Sequence, residues 1–191
     1  MVTIGVIADT HIPDRARRLN PLVLEIFQDK QVEVILHAGD VSAPYVLDEL
    51  EEIAPVHAVR GNRDWLLLRD LPMTLNLEFE GISIGIAHGH GGLRNYLADR
   101  FYLLFHDYSH EMLLPRLLDA FPYSRVIVFG HGHMPLNSWM NGKLLFNPGS
   151  PHFPHTKRIT PSLGILQLSA GGDVKSEIIP LDQGTRWCSS T

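Results

Sequence analysis

The 191-residue sequence contains a single cysteine, Cys188, and this scarcity excludes an internal disulfide and a thiolate metal cluster. Because Cys188 lies in the polar stretch TRWCSST near the end of the chain, we do not expect it to be a catalytic thiol. Metal or catalytic chemistry in this chain must therefore use oxygen and nitrogen side chains.

The sequence also lacks long apolar runs and an excess of basic charge. No run approaches the roughly 20 apolar residues that span a bilayer, and the start VTIGVIAD predicts a strand rather than a signal peptide. We therefore expect a cytoplasmic protein that does not associate with membranes. The net charge of −5 disfavours nucleic acid as a partner, because phosphate backbones bind basic faces.

The first half of the chain alternates between apolar strands and helices. A helix is predicted to begin at Pro21 with Asn20 as its N-cap. The other predicted elements are strands at 2–8, 32–38 and 55–62 and a helix at 43–53. This order is typical of a parallel sheet that is buried on both faces.

The second half predicts further strands and a helical segment. Its strands comprise a hairpin turning at Glu80-Gly81, a strand at 125–129, a short strand ending at NPGS, and a final pair at 163–168 and 174–179. The expected fold is α/β: a two-sheet α/β sandwich flanked by helices. We expect one domain over residues 1–180 and a C-terminal tail at 181–191.

The helical segment 93–121 carries five aromatic residues between Tyr96 and Tyr108, and their role has two interpretations. The first is core packing of two amphipathic helices. The second is a cap or a dimer surface beside a functional site. We prefer core packing and keep a homodimer as an expectation to be tested.

Side chains that bind metals follow five predicted strands, at the point where each strand ends. In chain order the clusters are Asp9 and His11, then Asp40, then Asn62 and Asp64, then His88 and His90, and finally His131 and His133. Ligands of open α/β sheets bind outside the carboxyl ends of the strands. A lone histidine carries little information, but five such clusters predict one metal site with mixed oxygen and nitrogen ligands.

The order of these motifs resembles that of the calcineurin-like metallophosphoesterases, which are dinuclear metal enzymes. The matching motifs are Asp9-Thr10-His11, Gly39-Asp40, Gly61-Asn62-Arg63-Asp64, His88-Gly89-His90 and Gly130-His131-Gly132-His133. The stretch NPGS at 147–150 and the modest length resemble the small prokaryotic phosphodiesterase branch, which is related to a retromer subunit. The resemblance extends from Met1 to about Leu168 and implies the metallophosphoesterase fold.

The resemblance implies two adjacent divalent cations and assigns their ligands. Asp9, His11 and His133 hold the first ion, Asn62, His88 and His131 hold the second, and Asp40 bridges both. The family implies Mn²⁺, with Fe, Zn²⁺, Ni²⁺ and Co²⁺ as alternatives that suit the same ligand types. Two divalent ions on two carboxylates keep a net positive charge of about two, which attracts a phosphate ester.

The implied reaction is the hydrolysis of phosphodiesters, or alternatively of monoesters, by a metal-bridging hydroxide, and the substrate is a phosphorylated small molecule. Asp40, Asn62, His90 and Arg63 are the candidate catalytic residues. Many family members carry histidine where Arg63 stands, and that histidine is taken to protonate the leaving group. Arginine holds its proton but can bind a phosphoryl oxygen through its fork.

The source of the leaving-group proton and the other substrate contacts are less closely defined. The proton for the leaving group comes from His90 or from a metal-bound water, unless the natural substrates leave easily. His155, Lys157 and Arg158 are candidate substrate contacts alongside Arg63, because they follow the NPGS turn. Asp64 is expected to orient its neighbours rather than to bind metal.

The main alternative function is a catalytically weak or inactive metal-binding scaffold of the same fold that binds a protein partner. Such a scaffold is expected to lose ligands, whereas all seven positions are intact here. An enzyme of another substrate class, such as a nuclease or a diadenosine polyphosphate hydrolase, is a second alternative. The net charge disfavours the nuclease.

Overall fold

The computed structural model describes residues 1–152, 156 and 159–182. The predicted substrate contacts at His155, Lys157 and Arg158 lie outside the described residues. So do residues 183–191 of the predicted tail.

The elements follow the predicted order closely. The strands are β1 (Val2–Ile7), β2 (Val34–His37), β3 (Val56–Ala58), β4 (Thr74–Phe79), β5 (Ile82–Ala87), β6 (Val126–Phe129), β7 (Leu136–Met140), β8 (Lys143–Asn147), β9 (Ser162–Leu168) and β10 (Val174–Pro180). The helices are α1 (Pro21–Asp29), α2 (Tyr45–Glu51), α3 (Gly92–Tyr102) and α4 (Leu114–Ala120), with a 3-10 turn at His110–Met112. Asn20 caps α1 as predicted, because its side chain accepts a hydrogen bond from the Leu22 N–H.

The strands form two five-stranded sheets. The first has the order β10-β9-β1-β2-β3, in which β1, β2 and β3 are parallel as predicted. The second has the order β4-β5-β6-β8-β7, in which β5, β6 and β8 are parallel. The hairpin β4–β5 turns at Glu80 and Gly81, which both have positive φ. Each sheet therefore has three parallel strands whose carboxyl ends can present side chains to one site.

Three apolar layers hold these elements together. One cluster packs α1 and α2 on the outer face of the first sheet, with Phe27 and Leu50 fully buried. A second lies between the two sheets and includes Val6 and Phe146. A third packs α4 on the second sheet through residues such as Leu117. The fold is thus the predicted two-sheet α/β sandwich flanked by helices.

The prediction of core packing for the 93–121 segment is right for α4 and wrong for α3. Phe121, at the end of α4, is fully buried, whereas Phe101 and Phe105 are 67% and 72% exposed. Asp99 is the buried residue of α3. The difference arises because α4 lies on the second sheet, whereas no described element covers the apolar side of α3. None of the described helices is long and apolar enough to cross a membrane.

Candidate metal centre

The predicted ligands meet where the parallel strands of both sheets end. Five of them have the left-handed backbone conformation: Asp9 (φ 55°), His11 (φ 51°), Asp40 (φ 55°), His131 (φ 72°) and His133 (φ 50°). Non-glycine residues rarely adopt this conformation, and it is concentrated at functional sites. The backbone therefore turns sharply after each strand and directs consecutive ligands to the same point.

Asp9, His11 and His133 form one group of potential ligands. The Nε2 atoms of His11 and His133 lie 3.0 Å apart. The Asp9 Oδ1 atom is 3.8 Å from His11 Nε2 and 3.5 Å from His133 Nε2. All three atoms therefore lie close enough to bind one ion, which is the first ion that the resemblance implies.

His88 is at the centre of the second group. Its Nε2 atom lies 3.2 Å from Asn62 Oδ1, 3.2 Å from His131 Nδ1 and 3.5 Å from Asp40 Oδ2. Asp9 Oδ1 is also within 3.9 Å of His88 Nε2, so the two groups adjoin at this carboxylate. The structure thus brings all seven predicted ligands into one cluster.

Asp40 lies between the two groups, as a bridging ligand must. Its Oδ2 atom is 3.6 Å from His11 Nε2 and 3.5 Å from His88 Nε2. Its Oδ1 atom accepts a 2.7 Å hydrogen bond from the backbone N–H of Arg63. This bond fixes the carboxylate so that Oδ2 points between the two groups.

Asp64 organises the loops without joining the cluster. Its carboxylate is buried and accepts hydrogen bonds from the backbone N–H groups of Asp40 (2.8 Å), Gly61 (2.7 Å) and Ser42 (2.7 Å). Residue 61 must be glycine, because a Cβ atom there would overlap the carboxylate and backbone of Asp40. These contacts agree with the orienting role predicted for Asp64. Burial raises the pKa of Asp64, and the Gly61 and Ser42 N–H groups partly offset this.

The NPGS stretch supports two ligand loops from behind, a role that the sequence did not reveal. The Asn147 side chain donates to the carbonyl of Gly130, directly before His131 (2.9 Å). The Ser150 hydroxyl donates to the carbonyl of Asp9 (2.8 Å). Both side chains are buried, so they fix the backbone that carries the ligands.

The charge states of the histidines follow from their surroundings. Burial lowers the pKa of His11 and of His131 to about 3, so both rings are neutral near pH 7. Burial also lowers the pKa of His88, but Asp40 and Asp9 outweigh it and raise this pKa to about 10. Burial raises the pKa of Asp9 to about 6. The cluster therefore contains neutral nitrogen donors and one histidine whose proton a cation would displace.

Three observations show that this cluster fits metal ions. Among the described residues, the buried carboxylate atom Asp9 Oδ2 has no hydrogen-bond partner, and such an atom requires an explanation. His88 Nδ1 donates to the Ala38 carbonyl (2.8 Å), which directs Nε2 toward the cluster. The donor set of carboxylate, amide and imidazole, without sulfur, suits divalent first-row metals.

Two adjoining cavities open at the cluster. The smaller, of about 250 Å³, is lined by five of the seven ligands and by three exposed arginines, Arg15, Arg63 and Arg100. The larger, of about 820 Å³, is lined by His90 and also by Asn62, which lines both cavities. Arg15 lies in the same loop as the ligand His11, whose carbonyl accepts a hydrogen bond from the Arg15 N–H (2.8 Å).

The 93–121 segment adds tyrosines to the site that sequence reasoning did not select. The Tyr96 ring lies 6.2 Å from the His131 ring. Tyr108 lines the smaller cavity against Gly132, where a Cβ atom would overlap its hydroxyl group. The sequence feature that could have indicated this contact is Gly132, the glycine between the two ligands His131 and His133. Its close approach to Tyr108 could be recognised only from the fold.

His90 lines the larger cavity and is buried, with its ring 5.4 Å from that of His88. Burial and the neighbouring His88 lower the pKa of His90 to about 4. Its ring is therefore neutral near pH 7. Its backbone carbonyl accepts a hydrogen bond from Arg116 (3.1 Å).

Comparison with known proteins identifies similar chains over most of this length. The family model described as the calcineurin-like phosphoesterase superfamily domain matches residues 2–171. A probable metallophosphoesterase of Methanothermobacter thermautotrophicus is 38% identical over 92% of this chain and 91% of its own. A phosphodiesterase of Methanocaldococcus jannaschii is 26% identical over 76% of this chain and 82% of its own.

Among solved structures, the zinc complex of Vps29 from Entamoeba histolytica superposes with a TM-score of 0.66 at 24% identity. The match covers 95% of this chain and 100% of that one. At this level of identity the likeness concerns the fold.

Proposed function

The chain belongs to the calcineurin-like phosphoesterase superfamily, and on that premise we propose that it hydrolyses phosphodiesters with two divalent cations. The observation that carries the proposal is the position of Asp40 Oδ2, 3.6 Å and 3.5 Å from one histidine of each ligand group. A carboxylate in that position can bridge two ions. The similarity to a phosphodiesterase from Methanocaldococcus jannaschii supports diesters over monoesters.

Each ligand group has the residues to hold one ion. Asp9, His11 and His133 would hold the first, and Asn62, His88 and His131 the second. Two bound cations would supply Lewis-acid chemistry, which makes water a stronger nucleophile and neutralises charge on the phosphoryl oxygens. We propose Mn²⁺ as the native metal, and the zinc-bound Vps29 relative makes Zn²⁺ the first alternative to test.

The reaction joins a water oxygen to phosphorus and breaks the bond between phosphorus and one alcohol oxygen, which takes up a proton. Arg63 keeps its charge and therefore binds a non-bridging phosphoryl oxygen instead of giving the proton. Arg15 and Arg100 line the same cavity and add positive charge around the phosphate. Together these side chains hold the phosphoryl group while its negative charge rises.

His90, whose ring is neutral near pH 7, is our candidate for passing a proton from the attacking water to the leaving alcohol, because it lines the larger cavity together with the ligand Asn62. Replacing His90 by alanine tests this role. We expect the variant to lose more activity on esters with poor alkyl leaving groups than on nitrophenyl esters, which leave without a proton. An equal loss on both kinds of ester would assign His90 a structural role.

The decisive experiment measures hydrolysis of bis-p-nitrophenyl phosphate and p-nitrophenyl phosphate by metal-stripped protein before and after Mn²⁺ is restored. Diester hydrolysis that requires both Mn²⁺ and Asp40 is expected, with Asp40→Asn as the inactive control. A faster monoester reaction would change the substrate class. Hydrolysis by the metal-stripped protein without added Mn²⁺, or an active Asp40→Asn variant, would contradict the two-cation mechanism.

A metal-binding scaffold for a protein partner is the second candidate, and one observation favours it. The exposed apolar residues of α3 and the turn after it, including Leu97 and Phe101, form a surface of the kind that binds partners. The fold likeness to Vps29 is compatible with this candidate. Tight binding of two ions without hydrolysis of either ester would support the scaffold and contradict the enzyme.

A further inference from the structure

The larger cavity has a position that suits one substituent of a phosphodiester. It shares Asn62, Arg63 and Tyr96 with the smaller cavity, which five of the seven ligands line. A phosphate bound at the ligands therefore has one of its two ester groups beside the opening of the larger cavity. The volume of about 820 Å³ lies in the range of small-molecule sites and far exceeds that of a methyl group.

The wall of this cavity combines apolar surface with flat cations. Trp65 and Leu93 line it and are 70% and 73% exposed, and Met73 adds a third apolar side chain. Arg60 and Arg63 provide the cationic part of the wall. Large apolar side chains that are exposed together at a cavity are typical of a ligand site.

Both sides of the cavity are held in place by buried contacts. Trp65 directly follows Asp64, and the turn that contains it is closed by a hydrogen bond from the Leu68 N–H to the Asp64 carbonyl (3.1 Å). Asp64 and Leu68 are both buried, so the backbone at Trp65 is fixed relative to the metal ligands. The turn therefore holds the start of the Trp65 side chain beside the cavity.

The opposite side of the cavity is the first part of α3. Arg116 holds this helix through a bidentate ion pair with Asp99, at 2.7 Å and 2.8 Å. Arg116 also donates to the carbonyl of His90, two residues before the helix begins. This anchor keeps Leu93 and Tyr96 facing the cavity although α3 buries little apolar surface.

We propose that the larger cavity binds a flat aromatic substituent of the phosphodiester, of about the size of a nucleoside. Indole, phenol and guanidinium groups all stack on flat rings, and Trp65, Tyr96, Arg60 and Arg63 provide all three kinds. The exposed Arg63 side chain can also donate hydrogen bonds to the polar edge of such a ring. An alkyl chain would contact the apolar side chains only. The inference rests on the proposed function and names the substrate class of that site.

Binding of phosphonates tests the inference without hydrolysis. Calorimetry of the Mn²⁺-loaded protein is expected to show that phenylphosphonate binds about tenfold more tightly than methylphosphonate, since one stacked ring contributes on that order. Trp65→Ala should remove most of this difference while methylphosphonate still binds. Equal affinities in the wild type, or a preference that survives in Trp65→Ala, would overturn the inference.

Two matched controls separate stacking from general damage. Leu67→Ala removes a side chain of the same turn that is 60% exposed and does not line the cavity. Trp139→Ala removes a 49% exposed tryptophan from β7, away from the cavity. Both variants should keep the wild-type preference for phenylphosphonate. If either loses it, the effect of Trp65→Ala is not specific to the cavity and the inference falls.

Hydrolysis then distinguishes an aromatic substituent from an apolar chain. The nitrophenyl esters of thymidine 5′-phosphate, methyl phosphate and decyl phosphate share one leaving group. We expect the thymidine ester to have the highest kcat/KM and Trp65→Ala to remove that advantage. Preference for the decyl ester would overturn the aromatic assignment.

The two proposals can fail separately. If the wild type hydrolyses bis-p-nitrophenyl phosphate but shows no Trp65-dependent preference, the aromatic site is wrong and the phosphodiesterase stands. If it hydrolyses no diester but still binds phenylphosphonate through Trp65, the phosphodiesterase is wrong and the aromatic site stands.

Discussion

Asp64→Asn is the sharpest test of how the ligand loops are organised. The wild-type carboxylate accepts three backbone N–H groups at 2.7–2.8 Å, two on Oδ2 and one on Oδ1. Asparagine keeps the shape but has one oxygen. If that oxygen takes the place of Oδ2, the bonds from Asp40 and Gly61 persist, and the N–H of Ser42 then faces an amide group that is itself a donor.

The magnitude follows from the number of bonds lost. One buried N–H without an acceptor, together with the loss of a charged acceptor, costs about 2–4 kcal/mol. This is a large part of the roughly 5–15 kcal/mol that stabilises an ordinary domain. Because Asp64 also positions the backbone of Asp40, we expect Mn²⁺ affinity to fall about 10–100-fold, although Asp64 binds no metal.

Urea unfolding of the metal-stripped protein measures the free energy, and calorimetry with Mn²⁺ measures the affinity. Asp70→Asn is the matched control, because the Asp70 side chain is 99% exposed and such a change shifts stability by less than about 0.5 kcal/mol. If Asp64→Asn behaves like Asp70→Asn in both assays, the carboxylate does not organise the loops and the reasoning is refuted.

Three further predictions concern other parts of the site. Mn²⁺ binding near pH 7 should release about one proton, because burial lowers the pKa of His88 but Asp40 and Asp9 together outweigh burial and raise it to about 10. Mn²⁺ affinity should therefore fall as the pH falls, and binding heats that do not depend on the ionisation heat of the buffer would contradict this. Arg63→Leu should lower kcat/KM for bis-p-nitrophenyl phosphate about 10–100-fold. Mn²⁺ affinity should stay unchanged, because the backbone N–H of residue 63 still donates to Asp40; a loss of Mn²⁺ binding would show that the side chain also supports the metal site. Asp99→Asn breaks the bidentate ion pair with Arg116 and should destabilise the protein by about 1–3 kcal/mol. Hydrogen exchange of the α3 amides should become faster, and unchanged exchange would mean that other contacts hold α3.

The sequence predicted those features that local chemistry determines. Asn20 before Pro21 predicted the start of α1, and the Glu80-Gly81 pair predicted the turn of the β4–β5 hairpin. The clusters of metal-binding side chains were predictable because each directly follows a strand whose apolar run marks it as buried. The convergence of these clusters then followed from the rule that parallel strands end at the same edge.

The sequence does not show which helices and strands pack against each other, so features that depend on those contacts were not predicted. The strand β7 was missed because it lies at the edge of its sheet and is largely exposed, so no apolar alternation marks it. The aromatic residues of α3 have a helical spacing that suits a core helix, but spacing does not show whether a neighbour covers them. The approach of Tyr108 to Gly132, between the ligands His131 and His133, likewise joins segments that are distant in sequence.

Arg63 shows how a departure from the family motif can leave the metal centre intact. The backbone N–H at this position fixes Asp40 at 2.7 Å, and any residue other than proline can donate that bond. The side chain is exposed and lines both cavities. We therefore expect the exchange of histidine for arginine to change how a phosphoryl group and its leaving alcohol are treated and to leave the ligand geometry intact. Three arginines around the ligands suit a phosphate ester, and metal binding alone does not require them, so their position supports the proposed enzyme.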